Sequence, residues 1–350
     1  IASSMNARES TVGLGVAAFT GAYAVAGPLL AGRAGRRSRR SLILSLLVFT
    51  VANLATALSS TVVVFLVTRI VAGAAAGVYS PLSSAVAAEL VGEERRGRAL
   101  ALVLAGLAVG TVFGVPIGLE LAHRWGWRAA ILLIVAIGGA SLVGVAVRGG
   151  ELPAIPASGA GDRLRSIARP KNLLTVTVTL LTGVASLGLY TYMTVILSVG
   201  SLATHQTLAI WVWGVGGAVG ALGIGRLMDR RNPLRLSVTI LVGLICALLG
   251  MTQGQTVWLL VASLFVWGMC GWASLAPQQH ILLQANPADG ATAVAANASA
   301  NYLGSALGAT AGSLLVAAQA APTVLCSSAA AVAGMALLCQ LFRQRMNSKE

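Results

Sequence analysis

The sequence predicts an all-α membrane protein made of two pseudo-symmetric six-helix bundles, with eleven of the helices visible. Three observations predict it. Of the 350 residues, 57% are hydrophobic and 10% charged, with a mean hydropathy of +0.84, whereas an ordinary soluble domain is roughly 25% charged. Unbroken apolar runs approach the roughly 20 residues a spanning helix needs, and they lack the short apolar-polar alternation of a barrel strand. Two unrelated features also recur at almost one offset. The loop Pro28, Leu30, Gly32, Arg33 is matched by Gly225, Leu227, Asp229, Arg230, with Gly32 and Asp229 197 positions apart. The ladder Gly110, Gly114, Gly118 returns 194 positions later as Gly304, Gly308, Gly312.

The apolar runs place spans at about 12–31, 41–59, 62–83, 99–121 and 128–147 in the first copy. The basic loop Arg33 to Arg40 parts the first from the second, Arg95 to Arg98 precede the fourth, and the turn Gly126–Trp127–Arg128 opens the fifth. In the second copy the spans fall at about 173–197, 207–226, 236–253, 256–280, 291–317 and 323–342. The stretch 148–172, rich in Pro, Gly, Ser and Arg, reads as a cytoplasmic linker. It divides an N-terminal bundle, 1–147, carrying spans two to six, from a C-terminal bundle, 173–350, carrying spans seven to twelve. An odd number of helices in a duplicated unit leads us to expect a further first helix before residue 12.

The net charge of +14 is that of many nucleic-acid-binding chains, but the placement of the charges excludes this class. Of the 24 basic residues, 20 lie in alternate loops, the linker or the C-terminal tail. That is the positive-inside pattern, so the linker and the C-terminus are expected in the cytoplasm. Arg69 alone lies within a span. It sits about 10 Å deep at roughly 1.5 Å per residue, so it needs a partner or a wet cavity unless the span begins deeper. The ten acids all fall in loops or near span ends, so no intramembrane carboxylate is visible to carry a proton. Cys246, Cys270, Cys326 and Cys339 stand in apolar runs without ligand spacing, and the histidines have no metal-like arrangement. No metal, cofactor or catalytic set is expected, and the chain does not read as an enzyme.

The segments GPLLAGRAGRR, RIVAGAAAG, ERRGRALALVLAGLAVGTVFGVPIG, GWR and AANASANYLGSALGATAG resemble the major facilitator superfamily. Within it they look like the twelve-span drug:proton antiporters, in the branch of arabinose-type sugar exporters and chloramphenicol-resistance exporters. The resemblance implies two bundles that rock about a central binding site, and it assigns roles. Arg33 and Arg37 belong to the cytoplasmic gating loop, where Gly32 replaces the family's aspartate; Asp229 with Arg230 keep the acid in the second copy. Topology by charge alone is the competing reading for that loop. Arg69, with Gly73 and Gly77, matches the fourth-helix signature tied to proton coupling. Gly110, Gly114, Pro116 and Gly118 match the antiporter signature of the fifth helix, with Val115 interrupting it. Their spacing also predicts close helix packing.

Polar and aromatic residues inside spans are the candidates for a substrate cavity: Tyr23, Asn53, Tyr79, Tyr190, Trp213, Trp267, Asn297 and Asn301. Bonds between helices compete with cargo for each of them. Trp125 and Trp127 read as an interfacial aromatic belt. The expected partners are a small-molecule substrate, protons and the lipid bilayer, with no nucleic acid and a monomeric chain. Arginine outnumbers lysine 22 to 2, a coding bias that suggests a GC-rich bacterial genome, and the expected location is the bacterial inner membrane. The expected activity is efflux of a small amphipathic compound in exchange for protons. A sugar or metabolite exporter, and a non-transporting membrane receptor or inactive chain, are the alternatives.

Overall fold

The computed structural model describes residues 3–5, 9–35, 37–91, 103, 106, 110–148, 152–153, 168–199, 201–228, 231–253, 256–285 and 290–347. Among these residues the regular structure is helical, with no strand. The chain forms two compact units, Ile1–Ala160 and Gly161–Glu350.

The first unit contains α1 (Glu9–Gly35), α2 (Ser38–Leu58), α3 (Val62–Glu89), α4 (Val115–Trp125) and α5 (Trp127–Arg148). Thr61 caps α3 by accepting from Val64 N. Gly126, at φ 84°, makes the turn from α4 into α5, a left-handed conformation that suits glycine. α1 and α2 both pack on α3, and α5 lies on α2. The basic loop is shorter than expected. α1 continues through Pro28 and Gly32 to Gly35, and α2 begins at Ser38, so Arg33 belongs to the last turn of a helix.

The second unit contains α6 (Pro170–Thr182), a π-helical segment Gly183–Gly188, α7 (Met193–Leu197), α8 (Gln206–Met228), α9 (Pro233–Gly250), α10 (Val257–Ala273), α11 (Leu275–Ala285), α12 (Gly290–Ala317) and α13 (Pro322–Asn347). Prolines stand at the starts of α6, α9 and α13, where the first turn has no use for the missing N–H. Asn232 caps α9 by accepting from Leu234 N at 2.9 Å. One expected span is interrupted. The span at 173–197 widens into the π segment and turns before α7, whereas α10 and α11 run on through Ser274, itself helical in φ and ψ, as one stretch Val257–Leu282.

Eight helical stretches among the described residues are long and apolar enough to cross a membrane, while Thr11–Ala26 is a shorter apolar helix. Lone hydroxyls within spans bond back to their own helix, as Thr20 does to Val16 O and Thr50 to Leu46 O, each at 2.8 Å. This leaves no hydroxyl proton bare in lipid. Large apolar side chains such as Leu44, Val51, Ile137, Val147, Leu222 and Leu314 face outward. Lipid-facing helices require this, since a bilayer reverses the penalty for apolar exposure. Arg343, expected in a C-terminal tail, is instead buried within α13 and donates through Nε to Lys171 O at 3.0 Å.

Candidate functional site

Gly73 and Gly77 allow α1 and α3 to touch. A Cβ at Gly73 would run into the backbone of Phe19, and one at Gly77 into the backbone of Tyr23. Arg69, one turn before Gly73, therefore lies beside α1, with its Cζ 5.3 Å from the centre of the Phe19 ring. From α2, Asn53 Oδ1 accepts from Arg69 Nη2 at 2.6 Å, and Thr56 Oγ1 takes a longer bond at 3.4 Å. Asn53 is oriented by its own helix, its Nδ2 donating to Phe49 O at 2.8 Å. Thr56 Oγ1 stands 2.9 Å from Thr68 Oγ1. Both Asn53 and Thr56 are fully buried. Arg69 Nε is buried without an acceptor, and among the described residues no carboxylate pairs with this arginine. The site is a fixed cation in an apolar helix, held by two neutral acceptors and a ring face.

The same crossing is repeated in the second unit. A Cβ at Gly268 would meet Trp213 O as one at Gly73 would meet Phe19 O; Phe19 and Trp213 are 194 positions apart, and Gly73 and Gly268 are 195. One step along, the bulk changes sides. Tyr23 on α1 faces Gly77 on α3, whereas Gly217 on α8 lies under Trp272 on α10. The charge is not repeated. In this register Leu264, wholly buried, stands opposite Arg69.

What the second unit has instead is an aromatic cluster. Tyr190 stacks on Trp213 at 4.2 Å and 22°, and Trp267 meets Trp213 edge-on at 6.3 Å and 75°. Trp267 Nε1 donates to Ser186 Oγ at 3.1 Å, while Trp213 Nε1 is buried with no acceptor among the described residues. On α12, Asn297 is fully buried, and neither its Nδ2 nor its Oδ1 has a hydrogen-bond partner among them. Asn301, one turn on, places its carbonyl against Gly183 at the start of the π segment. Tyr190, Trp213 and Trp267 are thus brought together, and Asn301 lies against the π segment that carries Ser186, the partner of Trp267. Tyr79 packs against Ala34, Leu82 and Val86 in a small apolar cluster.

The two glycine ladders behave differently. A Cβ at Gly304 would strike Leu180 O, at Gly308 Val184 O, and at Gly312 the Tyr192 ring, so α12 is in backbone contact with α6 and the π segment. Tyr192 Oη donates to Ala309 O at 2.5 Å. For the first ladder the described residues include no such neighbour: among them a Cβ at Gly106, Gly110 or Gly114 would meet nothing within 4 Å, and one at Gly118 only Ala130 Cβ at 3.9 Å. Gly110–Gly114 is a π-helical turn ending just before Pro116. A π turn there relieves the clash that a proline ring causes with the preceding turn of an α-helix.

Arg37 is exposed between α1 and α2, the Arg33 side chain is not described, and Asp229 and Arg230 lie outside the described residues. Trp125 is exposed, as a belt residue should be. Trp127 has specific partners instead. Its Nε1 donates to Ser4 Oγ at 2.8 Å, and its ring meets Phe65 edge-on at 6.3 Å. Phe19, Thr56, Ser186 and Arg128 are contributors that sequence reasoning missed; the recurrence of the basic and glycine motifs at one offset would have aligned Phe19 with Trp213. No cluster of metal-ligating residues occurs among the described residues.

The chain matches the sequence model of the Major Facilitator Superfamily over residues 1–309. It is 28% identical over 348 residues to the inner membrane transport protein YdhP of Escherichia coli K12, covering 97% of this chain and 88% of that one. It is 31% identical over 253 residues to a chloramphenicol resistance protein of Streptomyces lividans, covering 69% of this chain and 64% of that one. Among solved structures, a variant of the nucleoside transporter NupG superposes with a TM-score of 0.78 at 14% identity, over 98% of this chain and 92% of that one. The human organic anion transporter MFSD10 does so at 0.69 and 17% identity, over 94% and 83%. At such identities the two structures show a shared fold, and with the sequence match they establish that this multi-pass membrane protein belongs to the major facilitator superfamily.

Proposed function

We propose that the protein is a secondary efflux transporter that expels a small amphipathic compound across a bacterial cytoplasmic membrane, by alternating access and in exchange for protons. The observation that carries this reading is Arg69. A guanidinium seated in a spanning helix is costly, from about 2.5 to more than 10 kcal/mol by different scales, and function is the usual reason such a residue is kept. Its two acceptors, Asn53 and Thr56, are neutral, and its Nε–H is left over. Arginine keeps its proton at any working pH, so Arg69 is not itself the proton carrier. Its part is a fixed positive field that is balanced differently when a proton or a weakly cationic cargo occupies the cavity.

The stacked Tyr190 and Trp213, with an unsatisfied indole N–H, suit a flat, uncharged cargo that carries an acceptor. The chloramphenicol resistance protein among the relatives supports a drug-like compound as cargo. The test uses everted membrane vesicles, in which efflux becomes uptake. Uptake of chloramphenicol is expected to rise with an acid interior and to collapse when an ionophore dissipates the gradient. Uptake indifferent to the gradient would remove the proton exchange. Absence of uptake across a panel of amphipathic compounds would remove efflux altogether.

A further inference from the structure

Arg128 stands at the end of the first unit where α2 stops, in the first turn of α5. α2 ends at Leu58 and Ser59 is extended, so the carbonyls of its last turn need donors from outside the helix. Ser59 gives its N and Oγ to Thr56 O, at 3.2 and 2.7 Å, and Arg128 serves the carbonyls beyond it. Its Nε donates to Ala57 O at 2.9 Å and its Nη2 to Ser59 O at 3.0 Å, two arms of one planar fork on two backbone acceptors. The residue before Ala57 is Thr56, and one turn earlier is Asn53, the two acceptors of Arg69. The same guanidinium lies 4.7 Å from the centre of the Trp127 ring. Trp127 in turn meets Phe65, which is buried on α3 one turn before Arg69. The pair at the start of α5 therefore touches α2, which presents both acceptors, and α3, which carries Arg69.

We propose that Arg128 is a positioning residue for Arg69. It holds the last turn of α2 in the rotation that turns Asn53 and Thr56 toward the guanidinium, and through Trp127 it holds the Phe65 turn of α3 beside it. A cation at a helix C-terminus is a common stabiliser, and a plain cap is the competing account. The two differ in what should happen at α3. A cap acts on α2 alone, whereas a positioning residue acts on the Arg69 turn through Asn53. The proposal rests on the reading of Arg69 as the functional charge, and it is tested by a measurement that does not need transport.

The experiment compares Arg128→Gln, Arg128→Lys, Trp127→Phe, Asn53→Ala and the double variant Arg128→Gln/Asn53→Ala, all as the full chain in lipid nanodiscs. Amide hydrogen exchange is followed in peptides covering the end of α2 and the Phe65–Arg69 turn of α3. Arg128→Gln is expected to speed exchange about tenfold in both peptides, with Arg128→Lys in between because an ammonium reaches one carbonyl rather than two. In the α3 peptide the double variant should speed exchange by less than the product of the two single effects, because Arg128 and Asn53 share one route to that turn. Additive effects in α3, or a change confined to α2, would overturn the proposal in favour of a plain cap. If Arg128→Gln does not fold, Arg128→Lys and Trp127→Phe carry the same comparison. Should the wild-type protein prove indifferent to a pH gradient, the functional reading fails while the exchange data still decide this one. Where transport is measurable, Arg128→Gln should lower the maximal rate and shift its pH profile with KM for cargo unchanged, since Arg128 does not touch the cargo.

Discussion

Arg69 shows how a single residue can be legible in a sequence while its surroundings are not. A lone charge within an apolar run is visible to anyone counting charges. Its partners are not: Asn53 stands out as an amide within a span, but nothing local says that it and Phe19, on neighbouring helices, meet this arginine. Replacing Arg69 by Ala should reduce gradient-driven uptake into everted vesicles by at least about tenfold, the change expected when one charge-assisted bond of about 1.5 kcal/mol or more is lost. Arg69→Lys should recover little of it, because an ammonium is more strongly hydrated than a guanidinium and has no planar face to set against the Phe19 ring. Full activity in Arg69→Ala would show that the charge is only structural. The two buried indoles offer a second comparison of matched size. Trp267→Phe loses a bond to Ser186 and strands its hydroxyl, while Trp213→Phe removes an N–H that had no acceptor. Thermal unfolding in detergent should show Trp267→Phe the less stable of the two by about 1 kcal/mol.

At the scale of the helix, the glycines divide into those that hold elements together and those that do not, and spacing alone does not separate them. Gly73 and Gly308 each lie against the backbone of a neighbouring helix, whereas Gly106 and Gly110 face open space among the described residues. Gly73→Ala and Gly308→Ala should each lower stability by more than about 2 kcal/mol, because backbone cannot move aside as a flexible side chain can. Gly106→Ala and Gly110→Ala should change it by less than about 1 kcal/mol, with helix propensity favouring alanine. Equal losses at all four positions would refute the distinction. A four-residue repeat reports which face of a helix is smooth, but whether another helix lies on that face depends on how the helices cross. The π segment after α6 is equally hidden. Composition shows that a span exists and says little about where a π turn divides it.

At the scale of the molecule, the orientation is the prediction that rests most directly on charge. A fluorescent-protein fusion at the C-terminus should light up and an alkaline phosphatase fusion should stay inactive, because both the linker and the end of α13 carry the excess of arginine and lysine. The opposite pattern would invert the direction of transport proposed above. The duplicated plan is readable in the chain alone, and the crossing of α1 with α3 returns as that of α8 with α10 at the offset the glycine ladders display. Residue order was enough to read the lipid solvent of this protein, its helical spans, its duplication and the embedded charge of Arg69. All of these follow from local hydropathy and the cost of moving charge into lipid, which depend only on a residue and its near neighbours in the chain. It took the packed helices to show that Asn53 and Thr56 receive that charge, that Tyr190, Trp213 and Trp267 form one cluster, and that the second glycine ladder is a backbone contact between helices. Those outcomes depend on the rotation and crossing of helices far apart in sequence, and a shift of one residue in either partner would rewrite them.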